Sequence, residues 1–575
     1  MSENIEFATI LALKIDKFRT KLFLFDIVGE KYRLIATTEA ETTAFHPFND
    51  IREGVMRAID RIQNVTGRIL IDGESNLIIP SQSNGSGIDC LAFTYGFINH
   101  LSTITMGLLE SVSMDSLNRL ISMTQLKLLD QISSPNPRKV EEILSLFINL
   151  HPNLIIIAGG TDQGASKAIL KQMEMLRFIL RNIQPEKRPE ILFIGNNQVQ
   201  QDILNSNKEN FNISFAANIR PSIDYENLTP ALEKIEQFSN ESMKQKIGGF
   251  QDLASYCISP PIPISHATSY MTRFLSRLNN EPNTCVLFIE INREGTFLSA
   301  GCNGKPAFQV TDVSLNCNIQ QLLDNYPAKE ILRWINSEIS DEEIKFYLWN
   351  KSIHPNILPD SDSQLDIEMA LARLIIKNQI QKMFHNWPDL PQKFNQIIVS
   401  GEFFSNYLRP ADGLLVLLDS TQPGGMTKFY IDRHGIIPVL GTIATFNKFL
   451  PVQLIESTAI SLLAQVISIM SIAKFGIPIL SISIEYEDGT KNEIIVTKGS
   501  IVSIPLSPGQ KAKARITPLK KIEYDFADRD AENGIILQGG LCGVVIDARG
   551  RPIPLPKNEL QRIKLLQQWR NNLKN

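Results

Sequence analysis

Residues 7–38, FATILALKIDKFRTKLFLFDIVGEKYRLIATT, decide how the chain begins to fold. Three runs rich in β-formers, 7–15, 20–28 and 32–38, are separated by Asp16–Arg19 and by Gly29-Glu30. That punctuation predicts an antiparallel meander. A helix is predicted next, because Ile51, Val55, Ile59 and Ile62 recur at helical spacing behind Asn49 and Asp50, with Gly67 as a stop. Farther on, apolar strands alternate with helices: Leu154–Ala158 precedes a helix starting near Ala165, and Ile191–Ile194 precedes one starting near Gln198. This is α/β patterning.

The layout then repeats. Cys285–Ile291 and Thr296–Ala300 make a second strand-rich start, followed by a helical region from about Ala328 to His385 and a further strand at Gln396–Ser400. Three prolines in 258–263 (ISPPIP) mark a crossover between the two halves. After Pro478 short alternating runs are broken by turn residues about every ten positions, as in a small β-domain, and a charged helix starts at Lys557. The expected organisation is an α/β chain with two related domains, 1–257 and 258–476, then an all-β domain at 477–556 and a helix at 557–575. The apolar stretch Ala459–Ala473 is shorter than the ~20 residues that span a bilayer and reads as a buried helix.

Composition narrows the function. Among 575 residues, 57 Lys and Arg stand against 61 Asp and Glu, a net charge of −4. No global positive field exists to hold nucleic acid or anionic lipid, so neither nucleic-acid binding nor membrane insertion is expected. The start, MSENIEFATILALKIDKFRTK, lacks the basic, apolar and small-residue segments of a secretory signal, and a cytoplasmic location is expected. The six cysteines are scattered without a CxxC pair and read as reduced thiols. The seven histidines never approach HxxxH or HExxH spacing, which favours packing over metal ligation.

Two segments admit a binding reading. Residues 14–21, from Lys14 to Lys21, join two strands by a turn bearing Lys17, Phe18 and Arg19; the turn is either a phosphate cradle or an ordinary exposed hairpin. Gly159-Gly160-Thr161-Asp162 joins an apolar strand to a helix start, where free N–H groups attract anions and where a tight turn would need the same residues. Asp341-Glu342-Glu343 behind Ser340 fit a helix N-cap. Arg549 and Arg551 flank Gly550 at an expected turn, from which they could point at a carboxylate or phosphate.

Several longer motifs resemble one family. Ile157-Ala158-Gly159-Gly160-Thr161-Asp162, the run Ile331-Leu332-Arg333-Trp334 continued by Glu338-Ile339-Ser340, the segment 417–427 (LLDSTQPGGMT) and the segment 539–552 (GGLCGVVIDARGRP) are similar, in order, to the MutL family named for glutamate mutase L. The mismatch-repair protein of the same name is unrelated. The resemblance implies the actin-like ATPase superfamily: two RNase H-like α/β domains that bind a nucleotide.

Against that pattern the nucleotide loops depart. The family's first loop reads like Asp-Ile-Gly-Ser-Thr-x-Thr-Lys; here Lys14 takes the aspartate position, Asp16 the glycine, Lys17 the serine and Phe18 the threonine, and only Thr20 and Lys21 match. Lys for Asp changes the local charge by two units, each worth about 4 kcal/mol at 4 Å and an effective dielectric of 20, so Mg2+ is not expected to bind. Asp16 shares a strand face with Lys14 and is the one candidate to replace the lost carboxylate. The second loop, Asp-Val-Gly-Gly-Ala-Thr-Thr, has become Glu290, Ile291, Asn292, Arg293, Glu294, Gly295 and Thr296, without the glycine pair; Gly-Ser-Gly-Gly has become Val399-Ser400-Gly401-Glu402.

The candidate nucleotide residues are thus Lys14, Asp16, Thr20, Gly159, Gly160, Thr161, Asp162, Glu290, Thr296, Ser400 and Gly401, with ATP binding weak or absent. The expected role is a non-catalytic interaction or assembly scaffold whose protein partner is a second copy, a cobalamin-dependent mutase or another protein. The alternative is an ATP-dependent chaperone that reactivates such a mutase.

Overall fold

The computed structural model describes residues 7–96, 101–124, 126–164, 166–207, 211–278, 284–292, 295–311, 315, 319–354, 357–455, 457, 459–523 and 534–574. Arg293, Glu294 and Ala165 lie outside these residues. The chain divides into two compact units, Met1–Phe25 with Ile35–His266, and Asp26–Leu34 with Ala267–Asn575.

In chain order the first unit builds β1 (Ile10–Ile15), β2 (Arg19–Val28), β3 (Lys31–Glu41), α1 (Arg52–Thr66) and β4 (Cys90–Tyr95). Five strands follow, β5 (Ser102–Met106), β6 (Lys127–Ile132), β7 (Leu154–Ile157), β8 (Glu190–Phe193) and β9 (Ile213–Phe215), and then the two-residue β10 (Ile262–Pro263). The first sheet has the order β10-β4-β1-β2-β3, with β1 and β2 antiparallel and β4 parallel to β1. Its core face carries Leu11, Leu13, Ile15, Leu22 and Leu24, covered by Val55, Ala58, Ile59 and Ile62 of α1. These four residues recur at the helical period, and Gly67, at φ 70°, ends the helix by donating its N–H to Gln63 O at 2.7 Å.

The alternating segment 101–227 forms a sheet of its own. All its strands are parallel, in the order β6-β5-β7-β8-β9. Read from β5 this is the 2-1-3-4-5 order of a doubly wound sheet, whose crossovers reverse between β5 and β7. Ile104, Met106, Ile155, Ile157, Ile191 and Phe193 bury one face against the helices Val140–Leu150 and Lys167–Arg181. A two-domain α/β expectation contains no such separate sheet; period alone cannot say which strands pair with which.

The second unit repeats the plan of the first. Its strands are β11 (Cys285–Ile291), β12 (Thr296–Cys302), β13 (Lys305–Thr311), β14 (Gln396–Ser400), β15 (Gly425–Asp432), β16 (Ser461–Ser468), β17 (Met470–Ser471), β18 (Pro478–Tyr486), β19 (Lys491–Thr497), β20 (Ile501–Ile504), β21 (Lys511–Pro518), β22 (Ile522–Glu523), β23 (Ile535–Gln538) and β24 (Val544–Asp547). An eight-stranded sheet runs β13-β12-β11-β14-β15-β16-β24-β20, and its first five strands reproduce the order β3-β2-β1-β4-β10. A separate antiparallel sheet, β19-β18-β21-β23, supplies the C-terminal β-structure, while β20 and β24 join the large sheet instead.

Two expectations are corrected. The apolar run 459–473 is not a helix: Ser461–Ser468 is the strand β16, held between β15 and β24. A strand covered on both faces shows no alternation, so its apolar run looks like that of a buried helix. The cysteines are not all reduced: Cys285 and Cys302, seventeen residues apart, stand directly opposite on β11 and β12 and form a disulfide. Cys90, Cys257 and Cys542 are free, and burial pushes each thiol up to about 12. Among the described residues no helix is long and apolar enough to cross a membrane.

Candidate functional site

The first candidate group lies on the β1–β2 hairpin. The Asp16 carboxylate accepts the N–H of Phe18 at 3.0 Å and of Arg19 at 2.7 Å, so it closes its own turn. Lys14 stands directly opposite Lys21, and Ile15 opposite Thr20. Opposed residues share a face and successive residues alternate, so Lys14 and Thr20 occupy opposite faces of the sheet. Thr20 belongs with Ile15, Leu22 and Leu24 on the face under α1, where its hydroxyl is buried without a hydrogen-bond partner among the described residues. Lys14 is buried on the other face, in register with Thr94 of β4. Lys21 and Arg19 both pair with Glu39, at 3.5 and 3.7 Å.

The second group, Gly159 to Asp162, follows β7 in the doubly wound sheet rather than the first sheet. Its position is the switch point between β5 and β7, where such sheets bind ligands. Here Leu108, from the loop after β5, packs against Gly159 so closely that a Cβ there would lie 2.7 Å from Leu108 Cγ. The other loops are tied together. Asn218 donates to Gly160 O at 3.0 Å and to the Asp162 carboxylate at 2.8 Å, and Asn196 N–H donates to Gly159 O at 3.0 Å.

The third group is in the second unit and does converge. Glu290 and Ser400 are register partners on β11 and β14, and Thr296 opposes Ile291 across the hairpin. Gly401 follows with φ 98°, and a Cβ on it would run into the Ile291 carbonyl. Asn292 Oδ1 accepts the N–H of Glu402 at 3.4 Å, while the N–H of Asn292 itself donates to Gly295 O at 3.0 Å. An asparagine side chain thus bridges the two loops where the family pattern has glycine. Ser400 Oγ donates to Asp432 O at 3.0 Å, and the Asp432 carboxylate caps the next helix by accepting the N–H groups of Gly435, Ile436 and Ile437 at 2.9–3.0 Å.

Comparison with known proteins now decides the family. The model of the family described as MutL protein matches residues 10–459. The chain belongs to the MutL family. No curated protein sequence matches this chain significantly. Solved structures similar to it include an acetone carboxylase in a nucleotide-free state (9% identity, covering 86% of this chain and 81% of that one, TM-score 0.33). A glycerol kinase of Plasmodium falciparum with ADP is another (11%, 79% and 93%, 0.31), as is a gluconate kinase of Lactobacillus acidophilus (10%, 79% and 92%, 0.32). The first five strands of the large sheet in the second unit repeat the strand order of the first sheet, so this MutL chain carries the same mixed α/β sheet twice.

Three of the four motifs by which the MutL chain resembles its family meet inside the second unit; the fourth, Ile157–Asp162, lies in the first. Asp419 accepts hydrogen bonds from Arg373 at 2.7 Å and from Arg549 at 2.5 Å; Arg549 also forks onto Asp547, with both bonds at 3.0 Å. Arg551 reaches Asp547 at 2.9 Å and Pro423 O at 3.2 Å. The Arg549 guanidinium lies 4.8 Å from the ring centre of Trp569, and that of Arg373 lies 5.8 Å from Trp334. Arg549, Asp419 and Asp547 are fully buried. The expectation that Arg549 and Arg551 emerge together from a turn is therefore corrected: one is wholly enclosed and the other almost so. Burial alone would raise the Asp547 carboxyl, but Arg549 and Arg551 outweigh it and hold the group well below the usual carboxylate range.

A second network adjoins it in sequence. Arg570 donates to Asp412 at 2.6 Å and to Asp366 at 2.8 Å. Burial raises the Asp366 carboxyl, whereas at Asp412 the hydrogen bonds from Arg570 and Arg409 overcome burial and lower it. Sequence reading missed Arg373, Asp366, Asp412 and Arg570. For two of them a signal was present: Asp412 precedes the apolar run Leu414–Leu418 and Arg373 lies within the run 370–376 (ALARLII), a pattern that calls for a buried partner.

Proposed function

We propose that this MutL-family protein has given up ATP hydrolysis and acts as an assembly scaffold built on the actin-like fold. The observation that carries the reading is the β1–β2 hairpin. Lysine stands in place of the carboxylate, Asp16 is engaged by its own turn, and Thr20 lies on the face opposite Lys14. Phosphoryl transfer needs a metal ion bridging phosphate oxygens and close backbone approach to them. Neither is supported by this hairpin or by the Asn292 bridge to Glu402. The scaffold role draws further support from where the family's motifs lie, in buried ion pairs that specify the fold. The partner is a protein, either a second copy or a cobalamin-dependent mutase.

Titration calorimetry of the full chain with ATP, once with Mg2+ and once in EDTA, tests this. The expected result is either no heat in both conditions or equal weak affinity in both, since Lys14 can meet phosphate oxygens without a metal. Affinity rising tenfold or more with Mg2+ would replace the scaffold with the ATP-dependent chaperone.

A further inference from the structure

The first unit holds a cleft of about 470 Å³ between α1, the loop 71–77 and the segment 252–256, within the size range of ligand pockets. Its floor is apolar: Val55, Met56 and Ile59 of α1 with Leu253 of the short helix Phe250–Ser255. One wall is a tight loop from Ile71 to Leu77, whose ends pair as an isolated bridge. Asp72 holds that loop by accepting the N–H groups of Glu74 and Asn76, both at 2.9 Å. Tyr256, from the opposite wall, donates its hydroxyl to Asn76 Oδ1 at 3.3 Å.

The rim is acidic. Asp252 and Glu74 both line it, and Asp72 stands just behind the loop tip. The one cation lining the cleft, Arg52, is engaged: its guanidinium forks onto Asp50 at 2.6–3.1 Å and reaches Asp252 at 3.3 Å. Two carboxylates, Asp50 and Asp252, therefore already answer this guanidinium, and Glu74 has no ion pair among the described residues.

An apolar floor beneath an acidic mouth complements a side chain with an aliphatic stem and a cationic head. Lysine and arginine bury such stems while keeping the charge near water. We propose that this cleft docks a segment of a partner protein that presents a lysine or arginine flanked by apolar residues. The proposal stands on the cleft alone and holds whether or not the nucleotide loops are active.

The Met56 methyl group reports on the floor. With 13C-methyl methionine labelling of the full chain, the 13 methionine signals are followed by NMR, and Met56→Leu assigns the one from the cleft. The probe is an acetylated, amidated five-residue peptide with a central lysine between leucines. A saturable shift of the Met56 signal is expected. The same peptide with norleucine for lysine should bind at least tenfold more weakly, and so should the lysine peptide to Glu74→Gln combined with Asp252→Asn, whose other methionine signals stay in place. Norleucine and lysine peptides binding alike would overturn the proposal. So would n-hexylamine saturating the site as strongly as the peptide, since the site would then take a free amine. No shift of Met56 with the lysine peptide would overturn it outright.

Discussion

The β1–β2 hairpin and the Arg549 network each gather four or more charged side chains, and they use them in opposite ways. In the hairpin the charges sit at a strand edge, partly in water: Lys21 and Arg19 share Glu39, and Asp16 serves its own turn. In the network, Arg549, Asp419 and Asp547 are withdrawn from water altogether and answer one another in a chain of forked hydrogen bonds. Three of the four segments that resemble the family lie in or against this buried network, and the fourth, Gly159–Asp162, is held by hydrogen bonds from Asn218 instead. Changes at the exposed turn, Lys17 and Phe18, cost little stability; removal of one member of a buried ion pair is expensive.

The largest effect is expected from breaking that network. Arg549→Ala leaves Asp419 and Asp547 enclosed and undercompensated, and should destabilise the chain by about 3–5 kcal/mol. Urea unfolding or the yield of folded protein will read it. An Arg549→Ala protein as stable as the wild type would place the network among ornaments of the fold and erase the contrast with the hairpin.

Next is the single backbone position where the altered loops remain tight. Gly401 has φ 98° and no room for a Cβ beside the Ile291 carbonyl, so Gly401→Ala should cost about 1–3 kcal/mol. A melting temperature unchanged by that substitution would show the loop to be free to move.

Acid titration separates the two buried networks, of Arg549 and of Arg570, by sign. The Asp547 carboxyl is depressed in the folded state relative to its ordinary value of 3.8. Its stabilisation is therefore complete above the unfolded value and is lost as pH falls below about 4 toward the folded value. Asp547→Asn should be less stable than wild type by about 2–3 kcal/mol at pH 7, with the gap closing as pH falls toward 2. A gap of constant size would mean that the carboxylate's charge is not what stabilises. Asp366, raised by burial, works the other way: acid relieves its desolvation, so Asp366→Asn should lose the gain in stability that this carboxyl contributes on mild acidification.

The smallest effect is expected in the hairpin. Thr20 buries a hydroxyl with no partner among the described residues, and Thr20→Val should be neutral or stabilising by up to about 1 kcal/mol. Destabilisation beyond about 1 kcal/mol would show that the hydroxyl has a role which the hairpin geometry does not reveal.

Much of this contrast was legible in the residues. Alternation in 7–38 yielded the meander, and Ser340 with Glu343 does form the reciprocal cap of the helix Asp341–Ile353. The repeated strand-rich start at Cys285 yielded the duplicated sheet order. The rest failed where a local pattern has two physical solutions. Ser461–Ser468 is apolar on both faces, which fits a central strand as well as a helix. Arg549 and Arg551 look like a charged turn until Asp419, 130 residues away in sequence, is seen to pair with the first of them. Lys14 and Thr20 fall at positions of one loop in sequence, yet the strand period puts them on opposite faces, a consequence that could have been drawn once the hairpin register was known. The candidate residues at Gly159–Asp162 do follow an apolar strand, and that the strand belongs to a sheet of its own is something the α/β period does not announce.

Phosphate release from ATP by the full chain, measured with Mg2+ beside a Thr20→Ala variant, tests the central claim most directly. The account predicts no release above the protein-free rate from either protein. Metal-dependent turnover in the wild type that disappears in Thr20→Ala would contradict it and restore a working ATPase to this fold.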